Sequence, residues 1–325
     1  MMALKSRAAK VRKKQLARKR KLAAGKNKLS TKNNLIAYSF ILPNFLGFAV
    51  FTLVPMLFSF VLSLAKWNGV GMPQFVGITN FTRLFRDEAF TRALLNTFVY
   101  TIFTVPFTMA AALGLAILLN SKIKGRNFFR TISFFPYVAS LVAVATVWRF
   151  IFSPTVGPIN LFLSSVLHIK NVPMWTSVSA PAMFFVVFFS IWKNMGYYMV
   201  IYLAGLQGVN AELYESAALD GANGRQKFWN VTLPQIAPTS FFVLMMLIIS
   251  SFKVYDIFLN LFAGGDNQLT SITRVIVYQI YNTAFRGLDY GYASAMSMIL
   301  FAVVLGVTLV QFHGEKTYGQ QGGES

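Results

Sequence analysis

The chain has 325 residues, 55% of them hydrophobic, with 33 Phe and only 12% charged residues, which makes it a polytopic membrane protein and excludes a soluble domain. Its net charge of +20 does not mark a nucleic-acid binder, because thirteen of the 30 Lys and Arg fall between Lys5 and Lys32 and no aromatic residue interleaves them to stack on bases. Cys is absent and His168 and His313 are the two histidines, which excludes disulfides, thiol chemistry and a His/Cys metal site.

Residues 1–34 form a basic tail. Val11 to Leu22 reads either as a basic helix on an anionic membrane surface or as part of a topogenic tail that stays in the cytoplasm. The apolar stretch from 36 to 65 is too long for the core of a signal peptide, so it is read as a retained span. Six apolar windows follow the length rule for membrane helices: Ile36 to Leu64, Leu94 to Leu118, Ile132 to Phe152, Pro181 to Leu206, Ser240 to Leu261 and Tyr292 to Phe312. The expected fold class is therefore an all-α polytopic membrane protein with six transmembrane helices. Pro43, Pro55, Pro106 and Pro136 predict kinked or broken helices. Ala110, Ala111, Ala112, Gly114 and Ala116 offer a small-residue surface for tight helix packing.

Charge sets the orientation. With the N-terminus inside, cytoplasmic segments carry twenty Lys and Arg, against seven outside: Lys66, Arg83, Arg86, Arg92, Lys170, Arg274 and Arg286. Positive charge favours the cytoplasmic side, so both termini and the 210–238 segment are expected there. That segment is a polar island between greasy spans. Glu212, Glu215, Asp220, Arg225 and Lys227 bar it from hydrocarbon. Asn210 caps a helix whose first turns hold Glu212 and Glu215. Ala217, Ala218, Gly221 and Ala222 leave one side bare for a partner's close approach. Gly221 and Gly224 allow a turn. A second short helix, about Arg225 to Val231, presents Phe228 and Trp229 until Pro234 and Pro238 end it.

The string Glu215-Ser-Ala-Ala-Leu-Asp220-Gly221-Ala222, with Phe228 and then Leu233-Pro234, resembles the EAA loop of binding-protein-dependent ABC importer permeases, with Ser216 in place of the first alanine. Val76-Gly-Ile-Thr-Asn80-Phe81, Asn96-Thr97-Phe98, Gly264-Gly265-Asp-Asn-Gln-Leu-Thr270 and Gly291-Tyr292-Ala293-Ser294-Ala295 are similar to segments of CUT1-type carbohydrate importers, with Asp266 where a proline is usual. The likeness spans about residues 35–313 and implies a type I importer fold with a permease domain there and a short cytoplasmic tail at 314–325. It implies that Glu215, Ala217, Ala218, Asp220, Gly221, Ala222, Phe228 and Pro234 couple to a cytoplasmic ATPase. The implied partners are a second homologous permease subunit, two ATPase subunits that carry ATP and Mg, an extracellular solute-binding protein and a sugar. This chain is expected to bind no cofactor and no nucleic acid.

No catalytic constellation stands out. Gly264-Gly265 and Gly322-Gly323 lack the Lys and Ser/Thr of a phosphate loop, so the chain is expected to have no ATPase site of its own. Polar residues within spans are the candidate solute contacts: Trp192, Lys193, Asn194 and Tyr197 in the fourth window, and Lys253, Tyr255 and Asp256 in the fifth. Trp and Tyr suit sugar ring faces, and Asn, Lys and Asp suit hydroxyls. Lys253 and Asp256, three apart, would alternatively neutralise each other on a helix. Trp148 and Arg149, at the end of the third window, read as interface anchors or as pathway groups. The expected function is the permease of an ATP-driven sugar or oligosaccharide importer. The alternatives are an ABC permease for a non-sugar solute or an ion-coupled secondary transporter, which would more often show buried acids and an inverted repeat. A membrane-anchored enzyme would need a catalytic domain or ligand set that the sequence lacks.

Overall fold

The computed structural model describes residues 33–34, 36–121, 123–175, 179–262 and 273–319, with side chains described as far as 314. The basic tail as far as Lys32, Lys122, the Gly264–Thr270 segment and Gly322-Gly323 lie outside the described residues. Two compact units divide between Val61 and Leu62.

Helix α1, Ile36–Ser63, is a membrane-length helix. Pro55 does not break it. Ala49–Leu53 widens into a π turn in which the Val54 N–H bonds to the Ala49 carbonyl, an insertion beside a proline that lacks a ladder donor. A small antiparallel ribbon, β1 (Ala65–Lys66) and β2 (Gln74–Phe75), follows. The short helix α2, Thr79–Leu84, buries Asn80, whose amide donates to the carbonyls of Ser63 at 3.0 Å and Ala65 at 2.9 Å.

Helix α3, Glu88–Asn120, starts on Asp87 and runs unbroken through Pro106. The third predicted span is instead two helices, α4 (Arg126–Val138) and α5 (Leu141–Ile151), bent by 95°. Pro136 weakens the last turn, and Ala139 and Ser140 take extended ψ values of 144° and 122° that stop the ladder. After α6 (Pro158–Ser165) comes α7, Ser179–Gln207, then α8 (Ala211–Leu219) and α9 (Gly224–Gln235). The second helix of the polar island is thus longer than predicted. A π turn at Phe228–Thr232 lets it continue past Pro234, with Leu233 N–H bonded to the Phe228 carbonyl, and it bends by 67° into α10, Ala237–Phe252.

The fifth predicted span also changes. Helix α10 stops at Phe252, and Lys253 to Tyr255 leave the helix before α11, Asp256–Leu261. No proline or glycine marks that break, so hydropathy alone merged the two helices. The last described elements are α12, Ile276–Tyr281, extended by a π turn at Asn282–Arg286, and α13, Tyr290–Gly319. Among the described residues, four helices are long and apolar enough to cross a membrane, or six with each bent pair as one span.

Helix α3 packs along α7, and α10 lies against both. Ala112 and Ala116 of α3 are fully buried against Tyr198, Met199, Tyr202 and Leu203 of α7 and Val243 of α10. Gly114 faces open space, so only part of the predicted small-residue surface is used. At the other end of this core, Tyr100, Phe185, Phe189, Phe258 and Leu261 join α3, α7 and α11. Leu84, Phe90, Ala93, Tyr292 and Met296 join α2, α3 and α13.

Candidate coupling and translocation sites

The polar island builds itself from local hydrogen bonds. Asn210 accepts from the Glu212 N–H at 3.1 Å and caps α8. At the far end Gly221, with φ of 77°, turns left-handed, and the Ala222 N–H bonds back to the Ala217 carbonyl at 2.9 Å. This six-to-one closure needs a residue that tolerates positive φ. Asn223 opens α9 with a capping box: Gln226 N–H donates to Asn223 Oδ1 at 3.0 Å, and Asn223 N–H donates to Gln226 Oε1 at 2.8 Å. A hydroxyl bond of 3.0 Å between Tyr214 and Thr232 ties α8 to α9, and fully buried Ile236, at the bend that ends α9, sits in the core.

On this frame Glu215, Ala218, Asp220, Gly221 and Pro234 are exposed, while Ala217, Ala222 and Phe228 are half-buried. Leu219 is 90% exposed and Trp229 55% exposed. A nearly bare leucine ending a rigid helix is an apolar group presented outward. The sequence pattern drew attention to the small residues and passed over Leu219, along with the Tyr214–Thr232 tie and the Asn223–Gln226 box.

The candidate solute contacts fall into two groups, and among the described residues no hydrogen bond, ion pair or ring contact joins them. In the first, Lys193 is 9% exposed and donates to the carbonyls of Pro136, Tyr137 and Ala139 at 2.9, 3.4 and 3.2 Å. Asn194 donates to the Ser190 carbonyl at 2.8 Å. Tyr197 stacks on Tyr137 at 4.5 Å. Trp192 packs 5.1 Å from Trp148. Trp148 itself stacks on Phe152 at 5.3 Å and meets Phe185, Phe188 and Phe189. The half-buried Trp148 ring thus packs in the aromatic contact of α5 with α7.

The second group sits at the break between α10 and α11. Lys253 and Asp256 are exposed, and they do not pair: the ion pairs among the described residues are Arg83–Asp289 and Arg92–Glu88. The interrupted helix removes the three-residue spacing that pairing would need. Tyr255 lies 6.1 Å from Tyr278 and 5.2 Å from Tyr281. Ring contacts continue from Tyr281 to Phe285 at 5.0 Å, Phe285 to Tyr290 at 6.2 Å and Tyr290 to Trp67 at 5.6 Å. This ladder of six rings was not legible, because its members are scattered from 67 to 290.

The opposite end of the chain from the island is pinned by charge. Asp87 Oδ1 accepts from Ala89 and Phe90 N–H groups at 2.8 and 3.2 Å, and its Oδ2 accepts from the Tyr292 hydroxyl at 2.7 Å. Arg83 bonds Asp289 at 2.9 Å and lies 3.9 Å over the Tyr292 ring.

The described residues thus form a helical membrane protein with two bent helix pairs and an exposed, self-capped helix, α8, that leads into the second of them. The chain belongs to the binding-protein-dependent transport system inner membrane component family, whose pattern matches residues 85–315. It is 32% identical over 288 residues to the probable ABC transporter permease protein YurN of Bacillus subtilis, covering 88% of this chain and 97% of that one. It is 30% identical to the probable starch degradation products transport system permease protein AmyD of Thermoanaerobacterium thermosulfurigenes, covering 87% and 94% of the two chains. Its fold matches a chain of a bacterial alginate ABC transporter crystallised with an alginate pentasaccharide-bound periplasmic protein, with a TM-score of 0.77, 27% identity and coverage of 88% and 96%. The fold is the type I ABC importer permease fold.

Proposed function

We propose that the chain forms half of a heterodimeric pore that imports a sugar or oligosaccharide, driven by ATP hydrolysed elsewhere in the complex. Its partners are a second homologous permease, two cytoplasmic ATPase subunits holding ATP and Mg, and an extracellular solute-binding protein. The chain holds no ATPase site and no cofactor of its own, and both termini lie in the cytoplasm. The observation that carries the reading is the rigid helix pair at 211–235: α8, held at both ends and cross-tied to α9, presents Glu215, Ala218, Asp220 and Leu219 on one exposed surface. A lever must transmit motion without bending, and caps at each end supply that stiffness. The relatives' names and the aromatic ladder beside Lys253 and Asp256 support a carbohydrate, since rings stack on sugar faces while charged groups take hydroxyls.

Co-purification in mild detergent followed by ATPase assay in liposomes tests this. A second permease and an ATPase are expected to accompany the chain, and a binding protein with one sugar from a panel is expected to raise ATP hydrolysis. A chain that purifies alone and supports uptake driven by a proton or sodium gradient would overturn the reading.

A further inference from the structure

We propose that the broken end of α4 is a site for a small hydrogen-bonding cation, and that the Lys193 ammonium is the cation that fills it.

The break at Ala139–Ser140 leaves the last carbonyls of α4 without ladder partners inside a bent helix pair long and apolar enough to span a membrane, and unpaired carbonyls are costly wherever water is scarce. The same carbonyls form the negative end of the helix dipole. Three of them, from Pro136, Tyr137 and Ala139, converge on one point at 2.9–3.4 Å from Nζ. An ammonium has three N–H donors, so the number of donors equals the number of acceptors. Neither ion pair among the described residues includes Lys193. Among the described residues its hydrogen-bond partners are carbonyls, as those of a bound potassium or ammonium ion would be.

The surroundings fix this geometry rather than merely permit it. One turn further along α7, Gly196 touches the Ser133 backbone so closely that a Cβ has no room, and Tyr197 stacks on Tyr137 at 4.5 Å. Positions 193, 196 and 197 share one helix face, so α7 grips α4 at the cation, at a backbone contact and at a ring stack. The cation sets the direction in which α4 ends and α5 departs.

The test uses the full chain with Lys193→Ala and Lys193→Met, extracted and melted in ammonium, potassium or tetramethylammonium chloride at equal ionic strength. The wild type is expected to show the same Tm in all three salts. Lys193→Ala is expected to lose roughly 4–10 °C in tetramethylammonium, which has no N–H donor, and to recover much of that loss in ammonium. Lys193→Met fills the space without a charge and is expected to stay low throughout. A Met variant with wild-type Tm, or an Ala variant equally unstable or unextractable in all three salts, overturns the site. The readout is stability, so its failure and the failure of the transport reading are separate results.

Discussion

The contact between α4 and α7 turns on a single hydrogen atom. At Gly196 any side chain runs into the Ser133 carbonyl, whereas at Gly114 a Cβ meets nothing within 4 Å. The two glycines therefore respond in opposite ways. Gly196→Val is expected to cost about 3 kcal/mol or more and to sharply reduce the folded, extractable fraction, because backbone must move to admit it. Gly114→Ala is expected to hold or raise Tm, since the helix gains up to about 1 kcal/mol from the better former. Fluorescence-detected size-exclusion with a temperature ramp reads both. The sequence pointed the other way: it put Gly114 in a tight-packing surface and passed over Gly196, whereas the close approach is at Gly196. It did single out Lys193, because an intramembrane cation is rare. Spacing gave no hint that its partners are carbonyls some 54 to 57 residues earlier in the chain.

At the scale of elements, what was readable was what is local. The Asn210 cap of α8 and the turn at Gly221 follow from neighbours within a few positions, and the structure carries both; of the small residues on its predicted bare side, Ala218 and Gly221 are exposed and Ala217 and Ala222 half-buried. Breaks were harder. Pro136 signalled a kink, and the break falls at Ala139–Ser140. Pro55 signalled an interruption, yet a π turn next to it lets the helix run on, whereas α9 does end just past Pro234, at Gln235, with a 67° bend into α10. The break at Lys253–Tyr255 has no local signal at all. Two consequences are testable. Asp87→Ala removes the cap of α3 and the acceptor of the Tyr292 hydroxyl at once. It is expected to destabilise by about 2–4 kcal/mol, while Tyr292→Phe, which spares the cap, is expected to cost less in the same melting assay. In the coupling element, Gly221→Pro forbids the positive φ that closes α8, and Ala218→Arg adds a long cation to an exposed small-residue surface. Both variants are expected to insert normally and to abolish transport, so uptake retained at normal expression would remove the coupling role from this loop.

At the scale of the whole molecule the contacts sort the chain into two ends. Trp67 accepts from Tyr290 at 3.0 Å, Asp87 meets Tyr292, and Asn96 donates to the Arg274 carbonyl at 3.0 Å. Away from these, Arg130 donates to the Leu119 carbonyl at 3.2 Å, and Phe241 lies 6.1 Å from Phe312. A chain crossing a bilayer must alternate between its ends, and this pairing puts the 210–236 island with the 121–130 loop and opposite the β1–β2 ribbon. The Lys and Arg count of the sequence favours the cytoplasm for the island's end, and on the proposed orientation an ATPase meets Leu219 there. The absence of cysteine from the sequence makes the assignment directly measurable. A single cysteine at exposed Asn68, in the ribbon turn, is expected to react with a membrane-impermeant maleimide in intact cells. One at exposed Asp220, at the end of α8, is expected to react only after the cells are permeabilised. The reverse pattern would place the helix pair outside the cell, where no ATPase could drive it, and the proposed coupling would fail with it.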